Sequence, residues 1–462
     1  MLSILLLIAA VLNSTQIQQQ QTNRYPLPLG LRRLRNPGES SIQIDDIQNA
    51  KTILQEFNFI SQDKSSKSFS NKIFSFIRPN TSGFQEALEY LPKFSILSPR
   101  WYSIKSQGSL HGQENVDESW IQQVRELGTK ADENTSRSPI ICPSVTFANW
   151  TKYEFIDFAQ SKIEIREIYD ALLHECKLRD YDGLHLNLGN LLYDPIIDDP
   201  TDQSTIGQSI KGTFAFLRMI GSRFHDEGLR LYVSVAPNNQ GSGSDIPQNS
   251  TAFFSTPYYS SYNEMLQLTG NPRIPHTVTQ QLLVEDDIDG VIIEPFPLRK
   301  KNCRSLSPFN PVVRTSMLYL NKAGVNPHSP DSEQDKEQQQ IYGHNEYILD
   351  SMIRLGPSKR PPPQRVFFGL SFLGVVTSKG RFVEYLDKDQ FLYILSHFKT
   401  ETGWDSIDRE QWFMYKQNGI DYKVYFPSIK GLKQRIDMAF QFGCGVAVFN
   451  LGDGLDYFMD LL

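Results

Sequence analysis

Eight short apolar runs, separated by helical patterns, constrain this chain more than any other feature. They read KIFSFI (72–77), FSIL (94–97), IICPSV (140–145), GLHLNL (183–188), RLYVSVA (230–236), GVIIEPF (290–296), VFFGLSFL (366–373) and GVAVFN (445–450). Runs of this length suit strands buried on both faces, as in a parallel sheet, better than helices. The intervening segments carry a different period. TKYEFIDFAQ places Thr151 three residues before Glu154, the spacing of a capping box. IGQSIKGTFAFLRMIGSRF puts Ile206, Ile210, Phe214, Leu217 and Phe224 on one helical stripe. SIKGLKQRIDMAFQFG has Ser428 as N-cap, a stripe of Ile429, Leu432, Ile436 and Phe440, and Gly443 at the stop. Strand and helix alternating eight times predict an α/β fold of the (β/α)8 TIM-barrel type. An open doubly wound sheet is the alternative, but no Gly-rich phosphate loop supports it. Three stretches read as insertions, at 194–205, 238–245 and 299–343. All come after strand C-termini, the face on which barrels carry their sites.

The flanking sequence bears on compartment. Leu2–Leu12 is an apolar run of signal-peptide length, too short to span a bilayer, so residues 1–15 are expected to be a signal peptide. No later run is long enough for a membrane span. The expected location is therefore secreted or lysosomal/lumenal. Sequons at Asn13, Asn80, Asn134, Asn149 and Asn249 agree with that route, and all but Asn13 fall beyond the signal peptide as glycosylation candidates. Residues 16–70 form a polar extension with a Gln run (Gln18–Gln21) and a Ser-rich patch (Ser65–Ser70), expected to be partly disordered, although SIQIDDIQNAKTILQEF could hold a helix. The barrel is expected over 71–462. Cys142, Cys176, Cys303 and Cys444 match no metal-ligand spacing, and their pairing stays open. A net charge of −6, with both signs mixed along the chain, excludes a nucleic-acid stripe. No cofactor or metal is expected.

Within barrel strands alternate side chains face inward. On the fourth run His185, Asn187 and Gly189 share a face, and Asp182 opens the strand. Asp289-Gly290 repeats that opening on the sixth, where Ile292, Glu294 and Phe296 share a face. Phe449 and Asn450 end the eighth. The stretch DGLHLNLG resembles the D-G-x-D-x-D-x-E motif on strand four of family 18 glycoside hydrolases, the chitinase family. FSILSPRWYSI, FANWTKYEF, FFGLSFLG and residues 403–462 resemble the same family.

This resemblance implies a family 18 barrel with a small insertion after strand seven, and a cleft that takes an oligosaccharide or chitin-like glycan. It also implies that the last motif glutamate protonates the leaving oxygen while the substrate's own N-acetyl group attacks. Here Asp182 keeps the first acid, His185 and Asn187 stand at the next two, and Gly189 stands where the proton donor belongs. Loss of a positioned general acid costs ~10²–10⁴-fold in rate. Glu294-Pro295-Phe296-Pro297 replaces the family's M-x-Y-D, and Phe449 replaces its tryptophan. The expectation is a carbohydrate-binding protein without standard chitinase activity. A hydrolase with a relocated acid is the alternative, with Glu294 as candidate and Asp194 or Asp198 as weaker ones. A protein-interaction scaffold with a protein receptor is a third.

The bland readings stand beside these. Asp182 could serve only to brace a strand end, and His185 and Asn187 could be satisfied core polar groups. Trp101, Trp150 and Trp404 are candidate sugar platforms, because a pyranose offers an apolar CH face. Asp405 is a candidate hydroxyl partner. Glu294, Phe296, Phe449 and Asn450 complete the candidate substrate-binding set.

Overall fold

The structure is a computed structural model that describes residues 33–34, 47–57, 59–60, 64–106, 108–131, 138–148, 150–189, 203–235, 285–294, 363–405, 409–441 and 443–462. All eight apolar runs form strands within one sheet. Strand one is Ile73–Ile77. Strand two is Ile96–Pro99, continued after a break at Arg100 and Trp101 by Tyr102–Lys105. Strand three is Ile140–Ile141 and Ser144–Ala148, broken at Cys142 and Pro143. Strands four to eight are Gly183–Gly189, Arg230–Val235, Gly290–Ile293, Val366–Ser371 and Gly445–Leu451.

The parallel pairings close a ring. Strand eight pairs with one, and one with two. The lower half of strand two pairs with the lower half of strand three, and the two upper halves pair with each other. Strand three then meets four, and the ladder runs through five, six and seven back to eight. Pro143 interrupts strand three because it has no N–H to give the ladder, but its carbonyl still accepts from the His185 N–H at 3.0 Å.

The ring is filled, not hollow. Phe74, Phe76, Ile96, Cys142, Tyr232, Ile292, Phe367, Ala447 and Phe449 form a buried cluster of inward-facing residues. The Phe74 ring meets Tyr232, Phe367 and His185 edge-on, with centroids 5.4, 5.7 and 5.6 Å away. Such bulk fits only because the neighbouring strands begin with glycine. A Cβ on Gly290 would lie 2.8 Å from the rings of both Phe367 and Tyr232, and one on Gly445 would lie 2.6 Å from Phe367. A second, larger cluster lies outside the ring, between strands and helices, and holds Leu184, Leu186, Leu188, Phe214, Leu217 and Phe224.

The helices form where their caps predict. Helix Lys152–Gln160 carries the complete Thr151–Glu154 capping box. Helix Ile429–Gln441 begins with Ser428 accepting from the Gly431 N–H at 3.2 Å and ends at Gly443, whose φ of 68° suits glycine. One stripe position departs from expectation: Phe440 is 58% exposed, and Ala439 takes its place in the core. The burial stripe runs 429, 432, 436, 439, so the next turn is met three residues after Ile436.

An antiparallel five-stranded sheet comes after strand seven, with spatial order Arg381–Leu386, Gly374–Ser378, Ile420–Tyr425, Glu410–Gln417, Glu401–Asp405. One face packs on helix Lys388–His397, where Phe391 stacks on Phe426 at 4.0 Å and meets Phe413 at 5.1 Å. This is the expected insertion.

The described part of the N-terminal extension packs on the barrel. Helix Ala50–Glu56 is capped by Asn49 and buries Ile53. Tyr457 Oη donates to Gln48 Oε1 at 3.1 Å, and the Ser68 N–H donates to the Leu462 carbonyl at 2.8 Å. The Gln and signal-like runs before residue 33 lie outside the described residues, as do 194–202 and the insertions at 238–245 and 299–343. Among the described residues no helix is long and apolar enough to cross a membrane.

Candidate functional site at the barrel mouth

The C-terminal ends of strands two, four, five and six bring one polar group of residues together. Alternation fixes who faces inward. Leu184, Leu186 and Leu188 pack in the outer cluster, so His185 and Asn187 turn to the axis; beyond Asn187 the register against strand five shifts, and Gly189 pairs with Val235. Ile96 is interior, so Ser98 and then Arg100 come after it on the inner face of strand two. Tyr232 and Ile292 set the same parity for Ser234 and Glu294.

Glu294 is the centre of this group. Ser234 Oγ donates to Glu294 Oε1 at 2.8 Å, and the Asn187 amide also hydrogen-bonds the carboxylate. The residue keeps a solvent-facing edge, but protein crowds its carboxyl on the other sides. That loss of hydration raises its pKa above the ordinary carboxylate value, against the lowering pull of Ser234, Arg100 and Asn187. Arg100 is exposed, and its charge also reaches His185. No ion pair joins Arg100 to Glu294 among the described residues.

His185 is fully buried deeper in the barrel. Its Nδ1 lies 3.0 Å from Ser144 Oγ, Phe76 meets its ring at 4.8 Å, and Nε2 has no hydrogen-bond partner. Burial first, then Arg100, drives its pKa down to about 3, so the ring is neutral at physiological pH. Above it Phe449 and Phe76 pair at 4.2 Å, and Phe449 is 7% exposed. Asn450 adopts φ 63° at a register shift between strands eight and one, a conformation asparagine tolerates, and is buried.

Several expected site residues sit elsewhere. Trp101 is 3% exposed and packs against Phe84, Trp120 and Tyr181 outside the ring. The strand is broken at Arg100 and Trp101, so the aromatic packing, and not strand parity, sets the direction of Trp101. Trp150 is also a packing residue, fixed by Nε1 donating to the Ile104 carbonyl at 2.7 Å and by Phe147 and Phe158. Neither can floor a sugar cleft. Trp404 and Asp405 are neighbours on an insertion strand and therefore face opposite ways. The Lys430 ammonium lies 5.0 Å over the Trp404 ring, on the side that packs toward the helix. Asp405 lines a cavity of about 380 Å³ on the open side, with Thr377, Lys423 and Tyr425.

Asp182 sits at the opposite end of strand four from the mouth. Its Oδ2 accepts from the Ile141 N–H and from Arg125, both at 2.7 Å. Asp289 repeats the arrangement, accepting from the Leu231 N–H at 2.8 Å and from His225 at 2.9 Å. Both aspartates brace strand starts. Asn80 is exposed on the turn after strand one. Phe296, Asn13, Asn134, Asn149, Asn249, Asp194, Asp198 and Cys303 lie outside the described residues. Cys142, Cys176 and Cys444 are buried. Among the described residues no cluster of His, Cys, Asp and Glu could hold a metal.

Sequence reasoning missed Arg100 and Ser234. Arg100 was legible in principle, two residues beyond Ser98. The apolar run FSIL, however, fixes no parity for the residues after it, and the adjacent tryptophan drew the functional reading.

No family model matches this chain. Solved structures do resemble it in fold. A chitinase from Chromobacterium violaceum ATCC 12472 superposes with a TM-score of 0.52 at 14% identity, covering 84% of this chain and 97% of that one. The spore cortex-lytic enzyme SleL of Bacillus megaterium QM B1551 gives 0.52 at 12% identity, over 85% of this chain and 72% of that one. The Group IV chitinase of Ostrinia furnacalis gives 0.51 at 12% identity, over 83% and 94%. At these identities the likeness is one of architecture: the chain has the α/β barrel of chitinases and cortex-lytic enzymes.

Proposed function

We propose that this chain is a family 18-related, chitinase-like barrel that binds oligosaccharide at its mouth and lacks standard chitinase activity. Within that family its sequence resembles chitinase domain-containing protein 1, the stabilin-interacting chitinase-like protein. A signal peptide at 1–15 would deliver it to a secreted or lysosomal compartment. One observation carries the reading. In the stretch DGLHLNLG, Gly189 stands at the position where the family 18 motif carries its proton donor, and glycine has no proton to give. The surroundings suit a sugar better than they suit hydrolysis. Asn187, Ser234, Glu294 and Arg100 supply hydrogen-bonding groups above the buried Phe76–Phe449 pair.

A second reading has its own support. The raised pKa of Glu294 is what a general acid needs, so a displaced proton donor on strand six remains the enzymatic alternative. A paired experiment on purified protein separates the two. Calorimetry with chito-oligosaccharides reports binding, and a fluorogenic chitobioside reports turnover. Saturable binding without turnover is expected. Turnover abolished by Glu294→Gln, with the fold intact, would overturn the non-catalytic reading.

A further inference from the structure

The described part of the N-terminal extension sits at a junction between the insertion and the barrel. Helix Ala50–Glu56 has seven residues. A helix this short is marginal on its own and keeps its shape through what it packs on. It packs on helix Lys388–His397 of the insertion, and Ile53 joins the buried cluster that also holds Phe391, Leu392, Leu395 and Phe413. Gln48, just before the helix, ties this contact to the barrel. Its carbonyl accepts from Gln411 Nε2, on strand Glu410–Gln417 of the insertion. Its Oε1 accepts from Tyr457 Oη at 3.1 Å, on the C-terminal 3-10 helix Asp456–Leu461. Gln411 also donates to Thr402 Oγ1 at 3.0 Å. Gln48, Gln411 and Tyr457 are all buried, where polar groups require such partners. Further along, Ser68 holds the same C-terminal segment. Its N–H donates to the Leu462 carbonyl and its Oγ to the Asp460 carbonyl, both at 2.8 Å. Between these two anchors the side chains of Ser65 and Ser66 are exposed.

We propose that residues 47–57 are a clip that holds the insertion to the C-terminal helix of the barrel, and that severing it loosens the insertion while the ring of strands stays closed. The ring itself does not use the clip. Strand one pairs with strands eight and two from Ile73 onward, and Ser68 keeps its anchors after a cut between Ser65 and Ser66. The insertion has other ties to the barrel: Glu410 with Arg435 at 2.8 Å, and Lys388 with Asp456 at 3.0 Å and Glu86 at 3.3 Å. None of these replaces the Gln48 carbonyl for Gln411 or covers the surface that Ile53 leaves. Loss of the clip is therefore felt first in helix Lys388–His397 and strand Glu410–Gln417. Because the insertion follows the C-terminal end of strand seven, a proteolytic cut in the extension acts at the mouth end of the barrel from a distant point in the sequence.

The test is hydrogen–deuterium exchange of the full chain, read by mass spectrometry. The proteins are wild type, Ile53→Asp, Tyr457→Phe, and a chain with a thrombin site inserted between Ser65 and Ser66, before and after cutting. Ile53→Asp puts a charge into the contact with the insertion. It is expected to raise exchange at least about tenfold in Lys388–His397 and Glu410–Gln417, with Gly183–Gly189 and Arg230–Val235 left within about twofold. Tyr457→Phe keeps the ring and removes one hydrogen bond to Gln48, so a smaller rise of about fivefold is expected in the same two elements. Cutting is expected to reproduce the Ile53→Asp pattern. Where the fragment stays bound after cutting, the same cut made in Ile53→Asp supplies the released state. Unchanged exchange in the insertion, with helix Ala50–Glu56 itself fully exchanged, would overturn the proposal, because the extension would then only rest on the insertion. A rise shared equally by strands four and five would also overturn it, because the extension would then support the whole barrel.

Discussion

The two ends of the barrel treat their polar residues in opposite ways. At the base, Asp182 and Asp289 each pair with a backbone N–H from the preceding strand and with a helix side chain, Arg125 or His225. Both carboxylates there have partners. At the mouth, His185 keeps an unpartnered Nε2, Glu294 is crowded and unpaired with Arg100, and strand four ends in Gly189. Asp182 belongs to the base and braces the fold. His185 and Asn187 lie further along the same strand, toward the mouth. One strand thus carries an architectural acid at its start and a different polar set at its end, because the two ends answer to different physical demands.

The largest consequence is expected from His185. Its folded pKa of about 3 lies below the ordinary histidine value of about 6.5. As pH falls through that window the unfolded chain binds a proton that the folded chain refuses. Stability is therefore lost with acidification, at roughly 1.4 kcal/mol per pH unit, or about 3 kcal/mol by pH 4. His185→Gln, which can keep the Ser144 hydrogen bond, should flatten this slope between pH 6.5 and 4. Urea denaturation across that range measures it. Equal slopes in both proteins would mean that His185 is not the acid-labile group of the mouth.

At the base the effect is smaller and independent of ligand. Asp182→Ala strips the Ile141 N–H and Arg125 of their acceptor and should cost about 2 kcal/mol. Glycan affinity of the folded protein should stay at the wild-type value, because the residue lies at the far end of the barrel from Glu294. A drop in affinity at constant fold would break the separation between base and mouth.

How much of this was legible beforehand also divides by region. The eight strands, the Thr151 and Ser428 caps and the Asp-Gly openings come from local patterns, and the structure contains them. Inward and outward assignment held wherever a run was long enough to fix its parity, as with Leu184, Leu186 and Leu188 against His185 and Asn187. It failed where a strand breaks. Strand two is interrupted at Arg100 and Trp101, so nothing local says which of the pair turns to the axis, and the tryptophan looked functional on residue type alone. Trp150 fails for a related reason. It lies just past the end of strand three, where the packing of Phe147, Phe155 and Phe158 decides its direction. The Ser234–Glu294 bond joins residues 60 apart in sequence and needs the closed ring to be seen.

The smallest effect, on stability, is expected from Glu294, and its sign is the informative part. Crowding raises the folded pKa above the unfolded one, so the favourable contribution of the neutral acid is complete below the ordinary carboxylate range. It is lost as pH rises through the raised folded value. At neutral pH the charged side chain is then tolerated by the fold, not required by it. Glu294→Gln keeps an acceptor for the Ser234 hydroxyl and removes the charge. It should be at least as stable as wild type at pH 7, with the difference shrinking as the pH falls. Thermal melts of the two proteins at neutral and acid pH check this. A site that folds as well or better without its charge, yet binds sugar less well, holds that charge for the ligand. If Glu294→Gln instead destabilises the protein at neutral pH, the carboxylate belongs with Asp182 and Asp289 as a brace, and the contrast between the two ends of the barrel disappears.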